Sequence, residues 1–197
     1  MMELKDVRNL DFKLYDSIIS HGIYHADSNE KITLKNEAES DFYFDLRRVF
    51  GNPEYLGWAA DILNYRIHEN NSEIISVGGI ESGSISLASA IAANMQAVGR
   101  PATSFYVRKS EKDHGLRNRI EGIMGTSSVI IEDVVTTGAT LRESIEVMEK
   151  AGSKPKHAYA VVCRFDRIKE LRNSLGVPFT YLYHQSDFHP LQDSVRF

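Results

Sequence analysis

Residues 128–148 read SVIIEDVVTTGATLRESIEVM, and this stretch decides the fold of the chain. An apolar run opens it and is typical of a buried strand, whereas the second half has the apolar spacing of an amphipathic helix. We expect the strand to end near Glu132 and the helix to begin near Gly138–Thr140 and to stop at Gly152. A strand followed at once by a helix is the repeating unit of an α/β fold.

The turn in this stretch has the chemistry of a phosphate site. Free N–H groups and the helix dipole favour a phosphate at a helix N-terminus, and the small residues Gly138 and Ala139 let the backbone approach it closely. Hydroxyl groups that can add hydrogen bonds are those of Thr136, Thr137 and Thr140. Glu132 and Asp133 can accept hydrogen bonds from vicinal hydroxyls, so a ribose 5-phosphate satisfies both halves. Simple capping of the helix is the alternative, and it accounts for one threonine rather than for the whole run.

The alternation of strand and helix extends from about residue 72 to near the end of the chain. Predicted strands cover 73–79, 102–108, 127–133, 157–165 and 178–183. Predicted helices cover 85–99, 140–152 and 166–176. Right-handed crossovers between such elements predict an α/β fold with a mainly parallel central sheet flanked by helices. In such sheets, ligands bind beyond the carboxyl ends of the strands.

The first 70 residues have a different pattern. Helices are predicted at about 5–20 and 53–69, and they flank the segment KITLKNEAESDFYFDLRRVF at 31–50. We interpret that segment as a small hairpin-like hood over the carboxyl edge of the sheet. The chain then divides into N-terminal helices with the hood at 1–70 and an α/β core at 71–197, which together form one structural unit.

Composition and charge exclude several classes of protein. The 197 residues are 42% hydrophobic and 25% charged, which is ordinary for a globular protein. A net charge of −4 gives no general attraction to nucleic acid or to an anionic membrane. The single cysteine, Cys163, excludes an internal disulfide and a cysteine-based zinc site. Such cysteine usage suits a reducing compartment, and no apolar run is long enough for a membrane span or a signal-peptide core, so we expect a cytoplasmic protein.

Two segments carry a resemblance to a known family. VIIEDVVTTGAT closely resembles the phosphoribosyl-diphosphate-binding motif of the type I phosphoribosyltransferases, and YVRKSEKDHGLRNRIEG resembles the mobile catalytic loop of the orotate phosphoribosyltransferases among them. The matching loop positions are Arg108, Lys109, Lys112, Asp113, His114 and Gly115. Such cations can neutralise the charge that grows on a leaving diphosphate, and a histidine can bind or protonate a leaving oxygen. A solvated surface loop is the alternative for so basic a run.

The hood segment resembles the N-terminal segment of the same family. In ITLKNEAESDFYFDLRR, the resemblance implies that Lys35 contacts the diphosphate donor, while Tyr43 and Phe44 line the flat base. The family usually has Ser-Gly after this lysine, where this chain has Asn-Glu. The alternative is that the aromatic run packs in the core and Lys35 is a surface charge.

The segment VVCRFDRIKEL contains an Asp-Arg pair like that of the family, here Asp166 and Arg167. The resemblance implies that Arg167 forms a paired hydrogen bond with the planar carboxylate of orotate, with Thr136 also near the base. Arg164 is a competitor for this role, and a surface ion pair is the alternative interpretation of Arg167.

The segment SVGGIESGSISLA stands where the family has its pyrophosphate loop. The resemblance implies that the backbone N–H groups of Ser82, Gly83 and Ser84 bind the diphosphate. Many bacterial members carry a lysine at the position of Gly83, and Glu81 is an unusual neighbour for a polyanion.

The reaction that the resemblance implies is that of an orotate phosphoribosyltransferase in UMP biosynthesis. Orotate attacks C1 of phosphoribosyl diphosphate, and Mg²⁺ is held mainly by substrate and water without direct protein ligands. Catalytic roles fall on Arg108, Lys112, His114 and Asp133. Family members are homodimers in which the loop reaches the neighbouring site. Two alternatives stay open: a type I phosphoribosyltransferase for another base such as a purine, and a non-catalytic regulator that senses phosphoribosyl diphosphate.

Overall fold

The computed structural model of the chain describes residues 4–26, 32–33, 39–40, 42–71, 73–110 and 119–191. Helical segments in these ranges are α1 (Leu4–Ser17), a π-helical turn (Ile18–Gly22), α2 (Leu46–Phe50), α3 (Pro53–Asn70), α4 (Ile85–Ala97), α5 (Ala139–Lys150), α6 (Ile168–Leu175) and a 3-10 helix (Gln185–Leu191). The strands are β1 (Ile23–His25), β2 (Ile32–Thr33), β3 (Glu39–Ser40), β4 (Phe42–Phe44), β5 (Ser76–Ile80), β6 (Thr103–Val107), β7 (Ile120–Gly122), β8 (Ser128–Val135), β9 (His157–Cys163) and β10 (Phe179–His184).

Strands β5 to β10 form one six-stranded sheet in the order β10-β9-β8-β5-β6-β7. Neighbouring strands are parallel except β6 and β7, which are antiparallel. The chain places β6 on one side of β5 and β8 on the other, so the strand order reverses between β5 and β8. Such a reversal opens a crevice at the carboxyl ends of the two strands. The predicted mainly parallel α/β sheet is confirmed.

Helices cover both faces of this sheet, which explains the uninterrupted apolar run of β8. On one face, Val129 and Ile131 belong to a buried cluster that also contains Ile62 and Leu63 of α3. On the other face, Ile130 belongs to a second cluster with side chains of α5 and α6. The N-terminal helix α3 is therefore part of the covering of the sheet. In the described ranges, no helix is both long and apolar enough to cross a membrane.

The described part of the hood consists of short paired strands. β1 pairs antiparallel with β4, and β2 pairs antiparallel with β3. Phe44 of β4 is buried and packs edge-on against Phe188, with the ring centroids 5.2 Å apart. Arg164, directly after β9, lies over the Phe42 ring at 4.7 Å. These contacts hold the hood at the carboxyl edge of the sheet.

Two features of the sheet differ from the sequence prediction. Strand β8 continues past Glu132 as far as Val135, because Val134 and Val135 remain paired with Val162 and Cys163 of β9. β-Branched side chains favour such an extension, so both acids lie inside the strand rather than at its end. The basic segment YVRKSEKDHGLRNRIEG, in which no strand was predicted after residue 108, contains β7, a short edge strand paired with β6, whose three residues are too few to give a periodic signal.

Candidate active site

Four strand ends meet around one cavity at the carboxyl edge of the sheet. β5 leads into the loop 81–84, β6 into Arg108 and Lys109, β8 into the turn 136–138, and β9 into Arg164. The cavity has a volume of about 420 Å³. Predicted site residues that line it are Tyr43, Phe44, Ser82, Gly83, Lys109, Glu132, Asp133, Thr136, Thr137, Ala139 and Thr140. Segments that are far apart in the sequence therefore come together as one site.

Gly138 shapes the turn before α5. Its φ is +72°, in the left-handed region that favours glycine, and a Cβ atom there would collide with Leu171 of α6. Thr137 supports the turn with two hydrogen bonds: its Oγ1 accepts from the Ala139 N–H at 3.3 Å, and its carbonyl accepts from Arg142 at 3.3 Å. Gly138 is itself buried, so its contribution is the shape of the turn that the neighbouring threonines present to the cavity.

Glu132 and Asp133 form the wall next to this turn. Only 8% of Glu132 is exposed. Burial raises the pKa of the Asp133 carboxyl, against the opposing effects of backbone N–H hydrogen bonds and of Arg47. The Asp133 N–H donates to Ser84 Oγ at 2.8 Å, which joins the acids to the loop after β5. A Cβ atom on Gly83 would collide with the Asp133 carboxylate, so the loop and the acid lie side by side only because residue 83 is glycine.

The basic segment after β6 begins with two residues that behave differently. Lys109 lines the cavity, and its N–H donates to Glu81 Oε1 at 2.6 Å. The Arg108 side chain instead donates to the Ser110 carbonyl at 3.3 Å. The Glu81–Ser82 peptide bond is cis. Glu81, in the loop after β5, therefore accepts a hydrogen bond from the backbone of Lys109, which lines the cavity.

Arg164 lies at the cavity and Arg167 does not. The Arg164 guanidinium stacks over Phe42 and donates to Ser40 Oγ at 3.1 Å, and burial lowers its pKa. Arg167 pairs with Glu170 at 2.9 Å, and 70% of its side chain is exposed. Of the two arginines, Arg164 therefore lines the cavity and Arg167 does not, and the contact of either one with a base remains a prediction. The physical reason is that Arg164 directly follows β9, whereas Arg167 precedes α6 and faces the first turn of that helix.

Two charged residues of the cavity were missed from the sequence, Asp45 and Arg47. Arg47 Nε donates to Asp45 Oδ1 at 2.7 Å, and this hydrogen bond raises the pKa of Arg47. Both residues lie within three positions after Tyr43 and Phe44, which were predicted to line the site. An opposite-charge pair placed directly after the aromatic pair was the available signal.

Several predictions concern residues outside the described ranges. Lys35, Lys112 and His114 fall there, together with Asn36, Glu37, Asp113 and Gly115. Their roles remain predictions. Within the described part of the chain, no group of three His, Cys, Asp or Glu side chains could hold a metal ion.

Comparison with known sequences identifies similar proteins over most of the chain. Residues 57–187 match the family model of the phosphoribosyl transferase domain. An orotate phosphoribosyltransferase of Rhodopseudomonas palustris strain BisB18 is 35% identical over 164 residues, which cover 80% of this chain and 87% of that relative. One from Bradyrhizobium sp. strain BTAi1 is 32% identical over 164 residues, with 80% and 88% covered.

Comparison with solved structures identifies the same fold. The crystal structure of an orotate phosphoribosyltransferase from Aeropyrum pernix superposes with a TM-score of 0.75 and covers 94% of this chain and 99% of its own. Its sequence is 24% identical, so this likeness concerns the fold alone. The predicted type I phosphoribosyltransferase fold is confirmed.

Proposed function

Because the chain belongs to the phosphoribosyl transferase family, and within it to the orotate phosphoribosyltransferases, we propose that it joins orotate to ribose C1 of phosphoribosyl diphosphate. A bond forms from a ring nitrogen of orotate to C1 as the bond from C1 to the diphosphate oxygen breaks; the nitrogen loses its proton to solvent and the diphosphate leaves with the bonding electrons. The products are orotidine 5-phosphate and diphosphate, in pyrimidine biosynthesis. One observation carries the proposal: a single cavity combines a helix N-terminal turn and two carboxylates with an aromatic and guanidinium surface.

The donor wall, made of Glu132, Asp133 and the turn 136–140, suits a ribose 5-phosphate. N–H groups at the start of α5 favour the 5-phosphate, and the threonine hydroxyls add donors. The two carboxylates accept hydrogen bonds from the ribose 2- and 3-hydroxyls. Held in this way, C1 of the ribose presents its diphosphate to the loop after β5, and binding energy is used for orientation.

The base wall, made of Tyr43, Phe44 and Arg164, suits orotate. Aromatic side chains accommodate a flat ring. The guanidinium of Arg164 has five N–H donors, so its hydrogen bond to Ser40 leaves donors for a planar carboxylate. We propose that Arg164 binds the carboxylate of orotate, which a purine lacks.

The charges of the cavity support a role for Mg²⁺. The lining contains the acids Asp45, Glu81, Glu132 and Asp133 and the bases Arg47, Lys109 and Arg164. Because four acids accompany three bases, this described lining has no positive excess to balance a polyanionic donor. Mg²⁺ supplies that positive charge when bound and, as a hard cation, suits phosphate oxygens and water. Glu132 and Asp133 then remain available for the ribose.

A second copy of the chain would complete the site. We propose a cytoplasmic homodimer in which Arg108, Lys112 and His114 of one protomer act at the cavity of its partner. The Arg108 side chain supports this arrangement, since it bonds to the Ser110 carbonyl rather than lining its own cavity. Mixing Lys112→Ala with Asp133→Asn protein should restore activity through hybrid dimers. Two variants that stay inactive after subunit exchange would contradict shared sites.

One assay tests the proposed function. The protein is mixed with phosphoribosyl diphosphate, Mg²⁺ and one base at a time, and the release of diphosphate is followed. Turnover with orotate and with no purine is expected. Turnover with a purine would favour another phosphoribosyltransferase, and donor binding without turnover would favour a regulator.

A further inference from the structure

Lys109 is held at both of its peptide groups. Its N–H donates to Glu81 Oε1 at 2.6 Å, and its carbonyl accepts from Arg119 Nη2 at 3.0 Å. Lys109 lines the cavity together with Glu81, Ser82 and Gly83 of the loop after β5. We infer that Glu81 and Arg119 are positioning residues that act through Lys109, and that they fix where its ammonium group meets the diphosphate. This inference rests on the proposed function for the identity of the ligand.

Glu81 is the less expected member of this arrangement, because a carboxylate in a diphosphate loop repels the ligand. Its hydrogen bond to Lys109 is charge-assisted and short. The Glu81 N–H also donates to the Val107 carbonyl at 3.0 Å. Residue 81 thus bonds to the end of β6 through both its backbone and its side chain. The loop after β5 and the start of the basic segment are consequently fixed relative to each other.

Arg119 holds the same segment through the carbonyl groups of Arg108 and Lys109. Its guanidinium donates to the Arg108 carbonyl through Nε at 2.9 Å and Nη2 at 2.7 Å, as well as to the Lys109 carbonyl. Nη1 donates to Glu143 of α5 at 2.7 Å, and only 19% of the Arg119 side chain is exposed. These bonds need the planar, multiply donating group of arginine, which lysine lacks. Because α5 begins at the phosphate turn, the attachment also links the two phosphate-binding parts of the cavity.

A fixed backbone matters because the lysine side chain is long and flexible. Its ammonium group loses rotational freedom when it binds a phosphate, and a backbone that is already in place reduces the freedom that remains to be lost. The alternative is that Glu81 and Arg119 only stabilise the end of β6. The two explanations differ in one respect: positioning requires Lys109, whereas a purely structural role does not.

A double-mutant cycle separates these explanations. Affinity for phosphoribosyl diphosphate with Mg²⁺ is measured by calorimetry for Glu81→Ala, Lys109→Ala and the double variant, together with turnover of orotate. We expect each single variant to lose about tenfold in affinity, and the double variant to bind no more weakly than Lys109→Ala alone. Losses that multiply in the double variant would overturn the inference.

Conservative variants provide the second readout. Glu81→Gln keeps an acceptor oxygen and should recover most of the affinity that Glu81→Ala loses, whereas Arg119→Lys should lose about as much as Arg119→Ala. The matched control is Glu149→Gln, which removes the exposed ion pair of Glu149 with Lys154 at the other end of α5 and should stay within twofold of wild type. If Glu81→Ala does not fold, the cycle of Arg119→Lys with Lys109→Ala gives the same test. Equal losses in Glu81→Gln and Glu81→Ala would contradict a role for the hydrogen bond.

The outcome also distinguishes the inference from the proposed function. If the losses of donor affinity are coupled but the protein does not turn over orotate, the positioning role is supported and the proposed function is contradicted. Orotate turnover with uncoupled losses would leave the function and remove positioning. A wild-type protein that does not bind the donor would remove both.

Discussion

The donor wall and the base wall face the same cavity, but they are assembled differently. The donor wall comes from one continuous stretch, residues 132–140, in which strand, turn and helix follow one another. The base wall comes from the hood and from Arg164, which are more than 100 residues apart in the chain. Its geometry depends on a long-range contact, the stacking of Arg164 over Phe42. A site can therefore be local in sequence for one substrate and non-local for the other.

The largest expected effect tests whether the two walls suffice for catalysis. We propose that Lys112 meets the leaving diphosphate in the transition state, so Lys112→Ala should lower kcat on the order of 100-fold, about 3 kcal/mol, with a smaller loss of donor affinity. Steady-state kinetics with both substrates measures the two quantities. Lys150→Ala, at the last residue of α5, is the control. Near wild-type turnover of the Lys112 variant would mean that the walls alone support the reaction.

The next effect concerns the donor wall. Gly138→Ala should destabilise the protein by about 3 kcal/mol, because alanine must adopt a positive φ and displace Leu171. Gly152→Ala is a matched control, since its φ is +85° and no atom lies within 4 Å of the added Cβ. This substitution should lower the free energy of unfolding by about 1 kcal/mol, from the backbone conformation alone. Urea unfolding gives both values, and equal losses would show that the contact with Leu171 has no role.

The base wall is tested by two arginines. Arg164→Ala should raise KM for orotate roughly tenfold or more, on the order of 2 kcal/mol, and leave KM for the donor nearly unchanged. Arg167→Ala removes an exposed ion pair with Glu170 and a contact with the Phe165 ring, both outside the cavity, and should stay within about twofold. Arg164→Lys keeps the positive charge but lacks the planar set of N–H donors, so it tests whether that geometry is required. A selective orotate defect in the Arg167 variant would reverse the assignment.

The last effect lies at the opposite end of β9, away from both walls, and leaves both substrate affinities unchanged at neutral pH. Burial, with a smaller effect of Arg172, lowers the pKa of His157 from 6.5 to about 4. The His157 imidazole takes up a proton near pH 6.5 in the unfolded chain and only near pH 4 in the folded chain. Stability is therefore highest above pH 6.5 and falls as the pH is lowered toward 4, by about 2 kcal/mol between pH 7 and pH 5.

Urea unfolding at pH 7, 6 and 5 measures this loss. His157→Gln should lose less stability over the same range, while Thr180→Val, which removes the hydroxyl 2.9 Å from His157 Nε2, should keep most of the pH dependence. The same pH dependence in wild type and in His157→Gln would contradict the assignment.

Local chemistry explains why the donor wall could be predicted. An apolar run, two acids and a hydroxyl-rich turn before an amphipathic helix constrain one another over a few residues. Only the end of β8 was misplaced, because its last two valines are held by pairing with β9, which the local pattern does not contain.

Long-range register explains why the base wall could not be predicted in full. Arg164 and Arg167 are three positions apart and have the same chemistry. The end of β9 and the start of α6 decide which of them faces the hood, and strand ends are set by tertiary pairing. The pairing of Glu81 with Lys109 is of the same kind, since nothing near residue 81 indicates where residue 109 lies.

The contact of Gly83 with Asp133 has an evolutionary consequence. A lysine at position 83 would add a positive charge to this side of the cavity. In this chain its Cβ would collide with the Asp133 carboxylate, so the substitution alone should be harmful. We therefore expect positions 83 and 133 to be epistatic: a side chain at position 83 is tolerated only after the strand end that holds Asp133 has shifted.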